Sequence, residues 1–236
     1  MSTFVLVHGA WHSGQCWDRV VPLLAEAGHE VFSPSLTGHG DTTHLMGPDV
    51  GLDTYVDDIV RLLIDRDLAD VVLVGHSLAG MIISSVANLV PGRVAQLVYL
   101  DAMDPVDGQA AVDVVPAAQG LIDEAAVSAV PWRIPPMSPA FLGVTQPADL
   151  AWLETILTAE SVRAFQLPAT LDNPALGAVP ATYIRCVDRA PAFDARQPAS
   201  SVRPNGQSVL VWELQSGHDC MITAPAGLAE LLLKVV

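Results

Sequence analysis

The chain has 236 residues, 51% hydrophobic and 16% charged, which suits one α/β domain with a large core better than two small ones. Lys and Arg number 11 against 26 Asp and Glu, a net −15 at pH 7, which argues against nucleic-acid or anionic-membrane partners, since either needs a basic surface. Cys16, Cys186 and Cys220 are far apart, with neither metal-ligand spacing nor a disulfide framework, which suits a reducing cytoplasm, and neither a leader-like segment nor a membrane-length apolar run is visible.

Residues 4–7 predict a short buried strand running into His8-Gly9-Ala10-Trp11-His12. Asp18 is a candidate cap for a helix through Glu26, with Pro22 in the first turn and Gly28 just past the end. Residues 29–33 predict the next strand, and 34–41 a glycine-punctuated loop. A helix beginning at Asp53 places Val56, Ile59, Val60, Leu63 and Ile64 on one face. Residues 71–74 are an unbroken β-branched and aliphatic run, the mark of a strand buried on both faces in a parallel sheet. It ends at Gly75-His76-Ser77, and 78–88 predicts a helix rich in small residues. Further strands are predicted at 94–100, 182–186 and 208–214, with a closing helix at 225–235. Strands alternating with helices imply a mostly parallel sheet flanked by helices, with right-handed crossovers.

Residues 104–178 break that alternation. Helix-like pieces at 117–130 and 148–158 are separated by Pro131, Pro135, Pro136, Pro139, Pro147 and Pro168. An insertion of this length between two strands is too long for a connector. It predicts a helical cap within the single domain 1–236, standing over the carboxyl ends of the strands, where open α/β sheets bind ligands. Trp132, Phe141, Trp152 and Phe165 are its candidate substrate-facing aromatics.

A serine on the sharp turn between a buried strand and a helix is a nucleophile elbow. The turn lifts the Ser77 hydroxyl clear of the sheet and aims a helix N-terminus at the group attacked. Gly75 is one small neighbour, while Ala79 stands where the usual pattern has its second glycine and Gly80 follows one place later. A serine hydroxyl needs a base, and the base needs a third group to hold its tautomer. On such a fold the chain order is serine, acid, histidine. Of seven histidines only His218 follows the last predicted strand. Asp188, ending the strand before it, is the expected acid, with Asp194 in reserve and Asp101 third. Backbone N–H groups of Ala10 and Leu78 are the expected donors to a developing oxyanion. Gly9 brings the backbone close to the site, and His12 and His76 are read as pocket wall or loop support.

The segments 4–12, Gly28-His29-Glu30-Val31, 75–80 and Gly217-His218 together resemble the α/β-hydrolase superfamily. Within it they are most similar to the group of plant methylesterases of the salicylate-binding type, hydroxynitrile lyases and related bacterial esterases. The resemblance implies Ser77 as nucleophile, His218 as base, Ala10 and Leu78 as the oxyanion hole, and a cap forming an apolar acyl or alcohol pocket. Lyases of this group carry threonine at the place of Gly9 and lysine at that of Asp219, so the esterase branch is favoured. Relatives usually have one more residue before the acid, so the loop 187–191 looks shortened. The expectation is therefore a serine hydrolase without metal or cofactor, cleaving a small to medium, mainly apolar carboxylic ester, with a homodimer left open. A lyase or cyclase using the site for proton transfer, and a non-catalytic ligand-binding protein of the same fold, are the alternatives.

Overall fold

The structure, a computed structural model, describes residues 1–188, 202, 206 and 208–236. Its strands are β1 (Thr3–Val7), β2 (Glu30–Phe32), β3 (Val71–His76), β4 (Val94–Leu100), β5 (Arg133–Ile134), β6 (Glu160–Ser161), β7 (Ala181–Cys186) and β8 (Leu210–Leu214). Six of them form one sheet in the order β2-β1-β3-β4-β7-β8, every adjacent pair parallel. All six carboxyl ends therefore lie along one edge. β5 and β6 form a separate antiparallel pair.

Alternation along the strands fills both faces, as period two requires. Val5, Val7, Leu73, Leu97 and Tyr99 enter one cluster, with residues of α2 (Leu52–Asp65) and α3 (Ala79–Leu89). Phe4, Leu6, Val72, Val74, Val98 and Leu100 enter the other. Residues of the C-terminal helix Pro225–Leu233 join them there, as does Leu24 of α1 (Val21–Glu26). A sheet covered on both sides explains why 71–74 reads as continuously apolar.

Several boundaries shift. The helix expected from Asp18 begins at Val21, because Gly14–Trp17 forms a separate 3₁₀ turn and Asp18 ends that turn. On α2 the buried face holds Tyr55, Val56, Ile59 and Leu63, whereas Ile64 is half exposed at 50%. Residues 79–88 of α3 are all buried, since this helix lies between the sheet and its neighbours. Small side chains are required at its start: a Cβ on Gly80 would stand 1.8 Å from Met103 O, and one on Gly75 2.7 Å from Ala79 O. The close contacts of the elbow are thus met by glycines at 75 and 80, and alanine suffices at 79.

Between β4 and β7 the chain forms α4 (Ala111–Val114), α5 (Gln119–Ala126), β5, α6 (Pro147–Ile156), β6 and α7 (Val162–Gln166). The helix expected over 117–130 stops at Ala126, and the prolines at 131, 135, 136 and 139 lie in the irregular stretch that follows. Ala111, Ile122, Ile134, Val162 and Phe165 join the first core cluster, while Val144, Leu153 and Ile156 join the second. Among the described residues no helix is long and apolar enough to cross a membrane.

Candidate active site

Four loops leave the carboxyl edge of the sheet and meet. β3 ends at His76, and Ser77 follows with φ of 56°, a left-handed value that costs a non-glycine residue energy and recurs where function demands it. Its N–H donates to Leu100 O at 3.2 Å and its carbonyl accepts Met103 N–H at 3.0 Å, so main-chain bonds hold the turn. Trp11 and Asp101 share the left-handed conformation, with φ of 67° and 42°. All three lie just past the ends of neighbouring strands.

Ser77 Oγ donates to His218 Nε2 at 3.0 Å. His218 Nδ1 donates to Asp101 Oδ2 at 2.7 Å. The other carboxylate oxygen of Asp101 accepts the Cys186 N–H at 3.3 Å. Ser77, Asp101 and His218 are all buried, so these bonds operate in a low dielectric, where they are strong and directional.

The carboxylate that meets His218 Nδ1 is therefore not the one the spacing picked out. Asp188 is exposed, and its main-chain N–H donates to Ser216 O at 3.0 Å, tying the end of β7 to the loop after β8. The Nδ1 side of His218 is occupied by Asp101, so the expectation for Asp188 is corrected. Sheet order supplies the reason. β4 lies directly beside β3, so the residue after β4 is one strand from Ser77. Serine, acid, histidine is still the order along the chain. Asp194 lies outside the described residues.

Gly9, at the start of the loop after β1, lies against the elbow: a Cβ there would meet Ser77 Cβ at 2.8 Å and His76 O at 3.0 Å. Ala10 and Leu78 are buried, and among the described residues neither backbone N–H donates to a protein acceptor. Backbone N–H groups in buried residues are normally satisfied, so these two, one from the loop after β1 and one next to Ser77, are available as donors to a ligand.

The histidines around the site divide by what their nitrogens meet. His8 Nδ1 donates to Gly9 O at 2.9 Å, and its Nε2 accepts the Leu36 N–H at 3.0 Å, a pairing only the neutral ring satisfies. Burial, then His39, push its pKa well below the ordinary histidine value. His76 Nε2 donates to His218 O at 3.0 Å, and its ring lies 4.5 Å from that of His218. His12 sits between Ala10 O at 2.9 Å and Asp219 Oδ2 at 3.1 Å. Both His12 and His76 thus support loops at the site. Gly217 presses on the insertion: a Cβ there would stand 2.8 Å from Gly143 Cα, and Asp219 N–H donates to Leu142 O at 3.0 Å.

The insertion's aromatics separate as well. Phe165 is buried with its ring 6.1 Å from Trp11, next to the loop that carries Ala10, and Thr158 N–H reaches Trp11 O at 2.8 Å. Trp152 packs against the second core cluster, with the Arg19 guanidinium 5.5 Å above its ring, so it braces the scaffold. Trp132 is half-buried and its carbonyl accepts the Val162 N–H at 2.8 Å. Phe141 is 38% exposed.

Among the described residues the one group with metal-ligand proximity is His76, His218 and Asp219, whose ligand atoms lie within 4.8 Å of one another. Both ring nitrogens of His218 are already spent on Asp101 and Ser77, so an ion ligated by His218 would have to displace one of those bonds.

Residues 4–231 match the sequence model of the alpha/beta hydrolase family. The chain belongs to that family. It is 32% identical, over 98% of both chains, to a carbendazim hydrolyzing esterase of Nocardioides sp. (strain SG-4G). Among solved structures it is similar to an extracellular alpha/beta-hydrolase from a Paenibacillus species, described as sharing structural and functional homology with tobacco salicylic acid binding protein 2. That likeness has a TM-score of 0.79 and 26% identity, and covers 99% of this chain and 98% of that one. A pyrethroid hydrolase from Sphingobium faniae JZ-2 superposes with a TM-score of 0.77 at 27% identity, over 99% of this chain and 96% of that one.

Two further residues at this alpha/beta hydrolase site escaped the sequence reading as contributors. Trp11 was visible only as part of a motif, and Asp219 only as the residue in place of a lyase lysine. The buried pairing of Asp219 spans 207 residues, which no local pattern signals.

Proposed function

We propose that the protein is a serine carboxylic ester hydrolase working without metal or cofactor, with Ser77 as nucleophile, His218 as base and Asp101 as the acid that orients it. The observation that carries this reading is the unbroken chain from Asp101 through His218 to Ser77, at 2.7 and 3.0 Å. With Nδ1–H donated to Asp101, Nε2 presents the lone pair that takes the Ser77 proton as Oγ attacks the ester carbon. The carbonyl oxygen becomes an oxyanion on the N–H groups of Ala10 and Leu78. His218 then returns the proton to the departing alcohol, leaving an acyl group on Ser77. Water, deprotonated by the same Nε2, attacks that acyl group and releases the acid.

The substrate class follows from the surroundings and from the relatives. Trp11 and Phe165 offer an apolar wall beside the oxyanion donors, and relatives are named for hydrolysing carbendazim and pyrethroids. Small to medium, mainly apolar esters suit both. We read residues 104–178 as the cap over this pocket within one domain. We read the protein as cytoplasmic, because Cys16, Cys186 and Cys220 are buried free thiols. A small-molecule ester is its expected partner, rather than nucleic acid or membrane.

Fluorophosphonate labelling, together with a hydrolysis screen over acyl chain length, tests the reading. Labelling should map to Ser77, and Ser77→Ala and His218→Ala should each reduce ester turnover by on the order of 10⁶-fold, with little further loss in the double variant, because they act as a unit. Retention of more than a few per cent of turnover by Ser77→Ala would exclude the acyl-enzyme route.

A further inference from the structure

Beside the Asp101–His218–Ser77 chain lies a second buried histidine–carboxylate pair that the mechanism above does not use. His12 comes from the loop that carries the Ala10 oxyanion donor, and Asp219 follows the base directly in sequence. Both are buried, at 2% and 0% exposure. His12 Nδ1 faces Ala10 O at 2.9 Å and Nε2 faces Asp219 Oδ2 at 3.1 Å. A carbonyl oxygen only accepts, and an ionised carboxylate only accepts. A neutral imidazole has one N–H and would leave one of these contacts without a proton. The doubly protonated ring satisfies both and balances the buried carboxylate, which would otherwise be costly.

Taking the reading of Ser77 and His218 above as given, we propose that His12, as an imidazolium, and Asp219 form a charged clasp fixing the oxyanion loop against the base loop, both acting as positioning residues. The clasp spans the reacting centre. At one end it grips the carbonyl of Ala10, whose N–H is the expected oxyanion donor. At the other it holds the residue next to His218, whose own carbonyl accepts from His76 at 3.0 Å. Oxyanion donor and base are thereby fixed relative to one another by a route that does not pass through Ser77.

The titratable groups around His12 are consistent with its charge. Burial opposes protonation, but the Asp219 carboxylate and the Ala10 carbonyl outweigh it and raise the His12 pKa above the ordinary histidine value. His8, from the same loop, is held neutral by its donor and acceptor partners. The His76 ring stands edge-on, 6.0 Å away.

Two measurements on the intact protein decide the proposal. Long-range ¹H–¹⁵N spectra of the histidine rings, assigned by the signal lost in His12→Gln, should show both His12 nitrogens protonated at neutral pH. A neutral His12 ring under those conditions would overturn the clasp, whether or not the protein hydrolyses esters. In ester kinetics Asp219→Asn, which keeps a hydrogen-bonding group but removes the charge, should lower kcat by roughly 10²-fold with KM shifted by less than about two-fold. Adding His12→Gln to Asp219→Asn should then cost little more, because one unit is already broken. An unchanged kcat in Asp219→Asn, or independent losses that multiply, would equally overturn it. A wild-type protein inactive on all esters would instead strike the function assigned above, and the spectra would still settle the clasp.

Discussion

Asp101 and His218 are joined by a 2.7 Å hydrogen bond across 117 residues of sequence, and Asp101 reaches it from a left-handed backbone just past its strand. An asparagine at this position could turn its amide N–H₂ toward Nδ1 and favour the tautomer with the proton on the wrong nitrogen. Asp101→Asn should therefore lower kcat by on the order of 10⁴-fold while the protein stays folded. Asp188→Asn should stay close to wild type, since that side chain is in solvent. Steady-state kinetics of the two variants, with circular dichroism as the folding control, would show the opposite ranking if Asp188 oriented the base.

The Gly9 position makes a second expectation. Even a methyl group there meets Ser77 Cβ at 2.8 Å and the His76 carbonyl at 3.0 Å, so Gly9→Ala should displace the nucleophile or the oxyanion loop and cost roughly 10²-fold in kcat/KM. The same packing leaves no room for the threonine of the lyases, and their lysine position holds a carboxylate already committed to His12. Cyanide release from aromatic cyanohydrins should not exceed the buffer rate. Enzyme-dependent release comparable to ester turnover would move the protein to the lyase branch.

Phe165 and Trp152 should behave differently when truncated. Phe165→Ala opens space beside Trp11 and should change KM and chain-length preference more than the limiting rate. Trp152→Ala removes the ring under Arg19 and should lower the melting temperature, at a cost of up to about 3 kcal/mol for a half-buried ring, without altering chain-length preference. The check is a substrate series on both variants; a preference shift in Trp152→Ala alone would reverse the roles given to the two rings.

Stability should also carry a signature of His8. Burial and His39 depress its pKa in the folded state, so the unfolded chain, with its histidine near 6.5, takes up the proton first as pH falls. The contribution is therefore fully present above about pH 6.5 and is lost as pH falls from there toward the depressed folded value. Urea unfolding at several pH values below neutrality should show a shallower loss in His8→Gln than in wild type. Equal slopes in the two proteins would mean that His8 is not held neutral in the fold.

What could be read from sequence was what local pattern encodes. The apolar run at 71–74, the turn at Gly75-His76-Ser77 and the histidine after the last strand each announce themselves within a few residues. Asp101 did not, because Asp101 and Asp188 both follow a strand and both satisfy the order serine, acid, histidine. Only sheet order, which puts β4 against β3, separates them. The histidines were legible as a group but not in their charge states, which depend on whether each nitrogen meets a donor or an acceptor. The aromatics of the insertion look alike in sequence, and they diverged because α6 packs into one core cluster and α7 into the other.

The contact between Gly143 and Gly217 has a bearing on how such a protein can diversify. An insertion that only roofed the pocket could be exchanged between relatives like a fitting, changing which substrates enter while the chemistry stayed put. Here the insertion's backbone lies against the loop of the base so closely that neither glycine tolerates a Cβ without movement, and the next residues are hydrogen-bonded across the same seam. On the function proposed above, exchanging this insertion should therefore retune proton transfer along with specificity. Productive grafts should be those that carry the 142–143 turn with them, or that keep the native turn and vary only the helices around it.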